Sequence, residues 1–160
     1  MIIGIEIFVC LCLFTLMVLI MAKDPIKTLY NYPPKVQEKV KSMPEYQGMI
    51  PTTKNQIVAK VFVSLFIVIF VSLILRYVNN CTSFKDSLFT SYLIWTVVNV
   101  YDVLILDFCW FCQSDKFVFP NTEDIRSEYK NYWFHLKEGF IGQILGLFLC
   151  ILISLVVLFI

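Results

Sequence analysis

The chain has 160 residues, 59% of them hydrophobic and 16% charged, with a net charge of +1. An average soluble domain carries about 25% charged residues, so the composition argues against an ordinary water-soluble fold. Neither the charge nor any motif points to a nucleic-acid partner, and the length is that of one domain.

Four long apolar runs account for the composition: Ile2 to Ala22, Ile57 to Val78, Leu88 to Phe111 and Gly139 to Ile160. Each reaches the roughly 20 residues that a helix needs to cross about 30 Å of hydrocarbon. The expected architecture is an all-α integral membrane protein, residues 1–160 forming a single membrane domain. Its fold would be a four-transmembrane-helix bundle with short interfacial helices in the cytoplasmic loops and no segment left for a second folded core.

The first run has no basic residue ahead of it, carries Glu6, and ends without a small-x-small cleavage pattern, so it reads as a retained helix and not as a signal peptide. Glu6 fits a topological or helix N-terminal role. The following loop, residues 23–56, is broken by Pro25, Pro33, Pro34, Pro44 and Pro51. Between them Val36, Val40 and Met43 recur at helical spacing among lysines, which predicts a short amphipathic helix from Pro34 lying on membrane lipid. Tyr30, Tyr32 and Tyr46 are expected at headgroup level.

The second and third runs are joined by the short stretch 79–87, so their helices should be antiparallel neighbours. Projected at about 100° per residue, Tyr92, Trp95, Thr96, Asn99, Asp102, Asp107 and Trp110 share one side of the third helix. A carboxylate at the centre of a span costs roughly 2.5 to 3.5 kcal/mol, so Asp102 should face protein or water. Asn99, Asp102 and Asp107 form the candidate intramembrane polar site. They read either as hydrogen-bonding glue between helices or as a proton or cation site.

The third run ends in Cys109-Trp110-Phe111-Cys112. One C-x-x-C raises a redox reading, and with His135 a metal reading, but a zinc pattern needs a second paired ligand group. No metal and no cofactor is expected. In the second long loop, residues 113–138, Asn121 or Thr122 reads as the cap of a helix opening with Glu123 and Asp124. That helix is expected to run through one aromatic face of Tyr129, Tyr132 and Trp133 to His135. The only histidine reads as an interfacial ring, or as an acid–base group beside Asp107 or Glu128. His135, Asp107 and Glu128 are therefore the catalytic candidates. In the fourth run Gly142, Gly146, Cys150 and Ser154 recur every fourth residue. Such a stripe of small side chains permits close helix approach, within the chain or in a homodimer or with a membrane protein partner.

Eleven of the thirteen basic residues lie in or at the edges of the two long loops, and only Arg76 and Lys85 flank the short connection. The positive-inside rule places the long loops in the cytoplasm and both termini outside.

The stretch Pro120-Asn121-Thr122-Glu123-Asp124-Ile125, with Tyr129 and Tyr132-Trp133-Phe134-His135-Leu136-Lys137, is similar to segments of small uncharacterised multi-pass membrane proteins of Gram-positive bacteria. Together with residues 99–107 it covers about a quarter of the chain. The resemblance implies a bacterial cytoplasmic membrane and a joint role for Asp102, Asp107, Glu123, Asp124 and His135, and no activity.

Three functions stay open on these residues. The chain is a small transport-related or accessory subunit with an intramembrane acidic site near its cytoplasmic side. Alternatively it is a membrane-embedded enzyme acting on a lipid or lipid-linked substrate through His135 and nearby carboxylates, or a structural helix-packing subunit of a larger complex.

Overall fold

A computed structural model of the chain describes residues 2–160. Met1 and the side chains of residues 53–56 and 59 lie outside the described residues, and Lys54 of the basic count is among them. The protein is 81% helical and, among the described residues, has no strand. Among the described residues, four helices are long and apolar enough to cross a membrane.

Helix α1 is Ile2–Met21, α2 is the short Pro34–Ser42, and α3 is Thr53–Tyr77. Helix α4 begins at Phe84, where the Ser83 side chain accepts from the Asp86 amide, and runs as an α-helix to Tyr101. Its continuation, Asp102–Phe111, is wound as a π-helix. After the four-residue α5, Arg126–Tyr129, helix α6 spans Tyr132–Phe159. The fourth apolar run thus starts one to two turns before its hydrophobic stretch, because Asn131 accepts from the Phe134 amide at 3.0 Å and caps the helix there.

Helices α4 and α6 form the centre and run antiparallel. Small residues of α6 meet larger side chains of α4 in register: Gly139 faces Val103, Gly142 faces Asn99 and Gly146 lies under the Trp95 ring. One turn further Cys150 meets Ser91. The small-residue stripe is filled by these side chains of α4 within the chain. Helix α3 covers another side of α6 through Val68, Leu75, Ile153 and Val157, and Cys81 of the α3–α4 turn is buried among them. The Ser72 hydroxyl donates to the Ile153 carbonyl across that contact at 3.2 Å. Helix α1 lies on α4, tied by a 2.9 Å hydrogen bond between Thr15 and Tyr101, and buries none of its residues.

The two long loops do form a core of their own, contrary to the sequence expectation. Ile26, Leu29, Tyr32, Val36 and Val40 of the first interlock with Phe117, Phe119 and Tyr129 of the second. Helix α2 begins at Pro34 as its spacing predicts, but Val36 and Val40 face this cap and not a free surface. Tyr32, expected at headgroup level, is buried among Phe111, Phe119 and Tyr129. Its phenol is held above its ordinary pKa, first by burial and then by Tyr129. The rim of the cap carries ion pairs: Lys35 with Glu128 at 2.6 Å, Lys39 with Asp124, and Arg126 with Asp115 at 3.2 Å.

The helix expected from Glu123 to His135 is broken. Glu123–Ile125 is one 3-10 turn, α5 ends at Tyr129, and Lys130 and Asn131 turn the chain before α6. Thr122 stands at the N-cap position of that turn, but its side chain makes no capping bond; its hydroxyl donates to the Phe119 carbonyl at 2.6 Å, and Asn121 takes a positive φ of 64° and donates to Glu45. The aromatic face divides with the break. Tyr129 is fully buried in the cap, whereas Trp133 is 75% exposed.

Candidate functional site

The functional candidates meet where the π-wound end of α4 passes the first turn of α6. On an α-helix, residues spaced by five, as Asp102, Asp107 and Cys112 are, stand about 140° apart from each one to the next. A π-helix pairs residue i with i+5, as in the Cys112 amide bonding the Asp107 carbonyl at 2.9 Å. The three side chains therefore line one edge. The α-helical projection holds only to Tyr101, and Trp110, which it put beside Asn99, instead packs its ring on Phe117 of the cap.

On the facing helix, His135 is only 3% exposed. Its Nδ1 is 3.2 Å from Asp107 Oδ2. The Cys112 thiol, itself fully buried, lies beside the imidazole. The ring packs edge-on against Phe111, centroids 5.0 Å apart, and Phe134 closes another side. Phe111 also touches Tyr32 and Phe117, so the cap roofs the histidine. The second ring nitrogen, Nε2, is buried and has no partner. Asp102 is half-buried and within electrostatic reach of both Asp107 and His135.

A second polar group sits one to two turns deeper. Asn99 Nδ2 donates to the Gly139 carbonyl and to Gln143 Oε1, both at 3.0 Å, and Gln143 Nε2 donates to the Thr96 hydroxyl at 2.7 Å. Asn99 is thus occupied in joining α4 to α6. The Asp102 carboxyl, expected to share a polar site with it, makes no hydrogen bond among the described residues and lies within reach of the Asp107–His135 group instead. Beyond Gln143 the Trp95 ring lies over Gly146 with its Nε1 nearest, and that nitrogen is buried without a hydrogen-bond partner among the described residues.

Of the catalytic candidates, Asp107 and His135 are brought together and Glu128 is not; it stands on α5, paired with Lys35. Glu123 and Asp124 also stay on the rim of the cap, where Lys39 holds the Asp124 carboxyl below its ordinary range. Cys109 is exposed and Cys112 buried, and both thiols are free. Among the described residues no group of three or more His, Cys, Asp or Glu side chains is arranged to hold a metal ion. The sequence offers Cys112 only as half of a C-x-x-C pair with a redox or metal reading. Its place beside the ring with Asp107 follows from their five-residue spacing, which has meaning in a π-helix alone.

Comparison with protein-family models, curated proteins and solved structures finds no match for this chain.

Proposed function

We propose that this chain is a multi-pass protein of a bacterial cytoplasmic membrane, both termini outside, that binds and releases a proton at Asp102, Asp107 and His135 as a transport-related or accessory subunit. Membrane insertion is supported by the large apolar side chains turned outward along all four long helices, among them Phe8, Phe62, Phe89 and Phe148. The orientation is supported by the lysines of the two loops that build the cap.

The observation that carries the proton site is the buried His135, with Nδ1 on a carboxylate and Nε2 on nothing. Imidazole is the side chain whose ordinary titration falls near neutral pH, and adding a proton to it makes both nitrogens donors. A buried ring with one idle nitrogen and two carboxylates nearby is suited to changing charge. The Trp95 ring seated on Gly146 fills the α4–α6 contact beyond Gln143, which supports a one-sided proton site over a pore through a single chain.

An enzymatic reading is favoured by one observation, the Cys112 thiol beside an imidazole already oriented by Asp107, an arrangement that can activate a sulfur nucleophile. Glu128 has no part in it. The complete burial of Cys112 supports the proton reading over this one.

Because the chain has a single histidine, protein labelled with 15N-histidine reports this ring alone. The ring is expected to titrate over roughly pH 5 to 9. Its midpoint should move in Asp107→Asn and in Asp102→Asn and stay put in Glu128→Gln. A ring whose signals ignore pH, or ignore both aspartate substitutions, overturns the proposal.

A further inference from the structure

A second group of unpaired polar atoms lies at the opposite end of the molecule, between the start of α1 and the α3–α4 turn. The turn is set by Asn80, which adopts the left-handed conformation at φ 55° and lets the Cys81 amide bond back to the Leu75 carbonyl at 2.9 Å. This presents the Asn79 side chain to α1, where its Nδ2 donates to Glu6 Oε2 at 2.9 Å. That bond fixes the orientation of the amide, since the opposite one would set two acceptors against each other.

Two acceptors remain, Glu6 Oε1 and Asn79 Oδ1. Both are buried and neither has a partner. Beside them opens a cleft of about 390 Å³ lined by Ile2, Ile3, Asn79, Cys81 and Thr90. Among the described residues no Lys, Arg or His pairs with Glu6. A carboxylate oxygen and an amide oxygen left unpaired beside this cleft require a positive charge or a donor that the described residues do not supply.

The chemistry of the oxygens narrows the occupant. Carboxylate, amide and hydroxyl oxygens suit hard cations. One carboxylate balances one positive charge, whereas calcium sites gather six to eight oxygens, usually with several carboxylates. We infer that Glu6 and Asn79, with the Thr90 hydroxyl at the edge of the cleft and water completing the shell, form a binding site for a small monovalent metal cation such as sodium. Glu6 belongs to α1, Asn79 to the α3–α4 turn and Thr90 to α4, so the cation clamps α1, which buries no residue of its own, onto the other helices. This inference does not rest on the proton site at His135.

The test uses the full chain purified in detergent, unfolded thermally in sodium chloride and in choline chloride at equal ionic strength, with 23Na relaxation as the direct measure of binding. Sodium should raise the unfolding midpoint saturably and broaden the 23Na line, and both effects should vanish in Glu6→Gln. Asn79→Ala should raise the half-saturating sodium concentration about tenfold, as expected for loss of one charge-assisted contact. His135→Gln should keep the sodium response, so loss of the proton site and loss of this one are read separately. If Glu6→Gln does not fold, Asn79→Asp decides: a second carboxylate should turn the preference toward calcium. Equal midpoints in sodium and choline, a sodium response that survives Glu6→Gln, an unchanged preference in Asn79→Asp, or full stabilisation by acid in choline would each overturn the inference. The last outcome would assign the missing charge to a proton on Glu6.

Discussion

Tyr129→Phe tests whether the two loops share a real core. The Tyr129 hydroxyl accepts from the Phe119 amide at 3.2 Å and is 2.7 Å from Thr122 Oγ1, while Thr122 spends its only proton on the Phe119 carbonyl. Tyr129 must therefore donate to Thr122, and it satisfies two groups at once. Phenylalanine keeps the ring contacts with Tyr32 and strands a buried amide, at a cost of about 1 to 3 kcal/mol. At 1.4 kcal/mol per factor of ten, exchange of the Phe119 amide with deuterated solvent should accelerate about 5- to 150-fold. Tyr129→Ala, which also empties the ring's place, should cost about 3 to 5 kcal/mol and free the amides of α2 as well. Tyr132→Phe is the control, since its phenol bonds Gln113 on the exposed side and should change stability by no more than about 0.5 kcal/mol. Phe119 exchange that is the same in wild type and Tyr129→Phe would show that the cap does not hold together as described.

Gly146→Ala should push the Trp95 ring aside and cost about 1 to 3 kcal/mol, read as a lower unfolding midpoint in detergent, whereas Gly4→Ala, with open space around it, should be indifferent. In a cysteine-free background, a cysteine placed before Ile2 should react with an impermeant maleimide on intact cells and one in the Lys35 to Lys41 segment should not; the reverse pattern would overturn the proposed orientation. Asp124 has its pKa depressed in the folded chain, chiefly by the hydrogen bond from Lys39. Its contribution is therefore present above about pH 4, the unfolded value, and is lost as pH falls through the lower folded value. A carboxyl titration by NMR should find its midpoint below the ordinary one, and Lys39→Met should bring it back.

The four long helices are legible in the sequence because hydropathy is a local property; each run of about 20 apolar residues announces itself whatever the rest of the chain does. Their ends are less so, since Asn131 caps α6 among residues that read as continuing helix. Val36 and Val40 show that α2 has an apolar face, but nothing local says what covers it, and the covering residues Phe117, Phe119 and Tyr129 come from single turns and connecting chain too short to show a period. The meeting of Asp107 and His135 was readable from their similar depth. The place of Cys112 was not, because a change from four- to five-residue hydrogen bonding leaves no mark in a pattern read at α-helical spacing.

The cap also has a consequence for the order in which the molecule is made. The cluster around Val36 and Val40 cannot be completed until Tyr129 has been synthesised, 93 residues after Val36. At about 5 to 20 residues per second that interval is roughly 5 to 19 s. During it the apolar side of α2 faces solvent or the lipid surface while α3 and α4 are being laid down. The first loop is thus the early-made half of a joint that closes late, and an interruption of synthesis anywhere between α3 and α5 leaves a chain with its long helices made and that joint open.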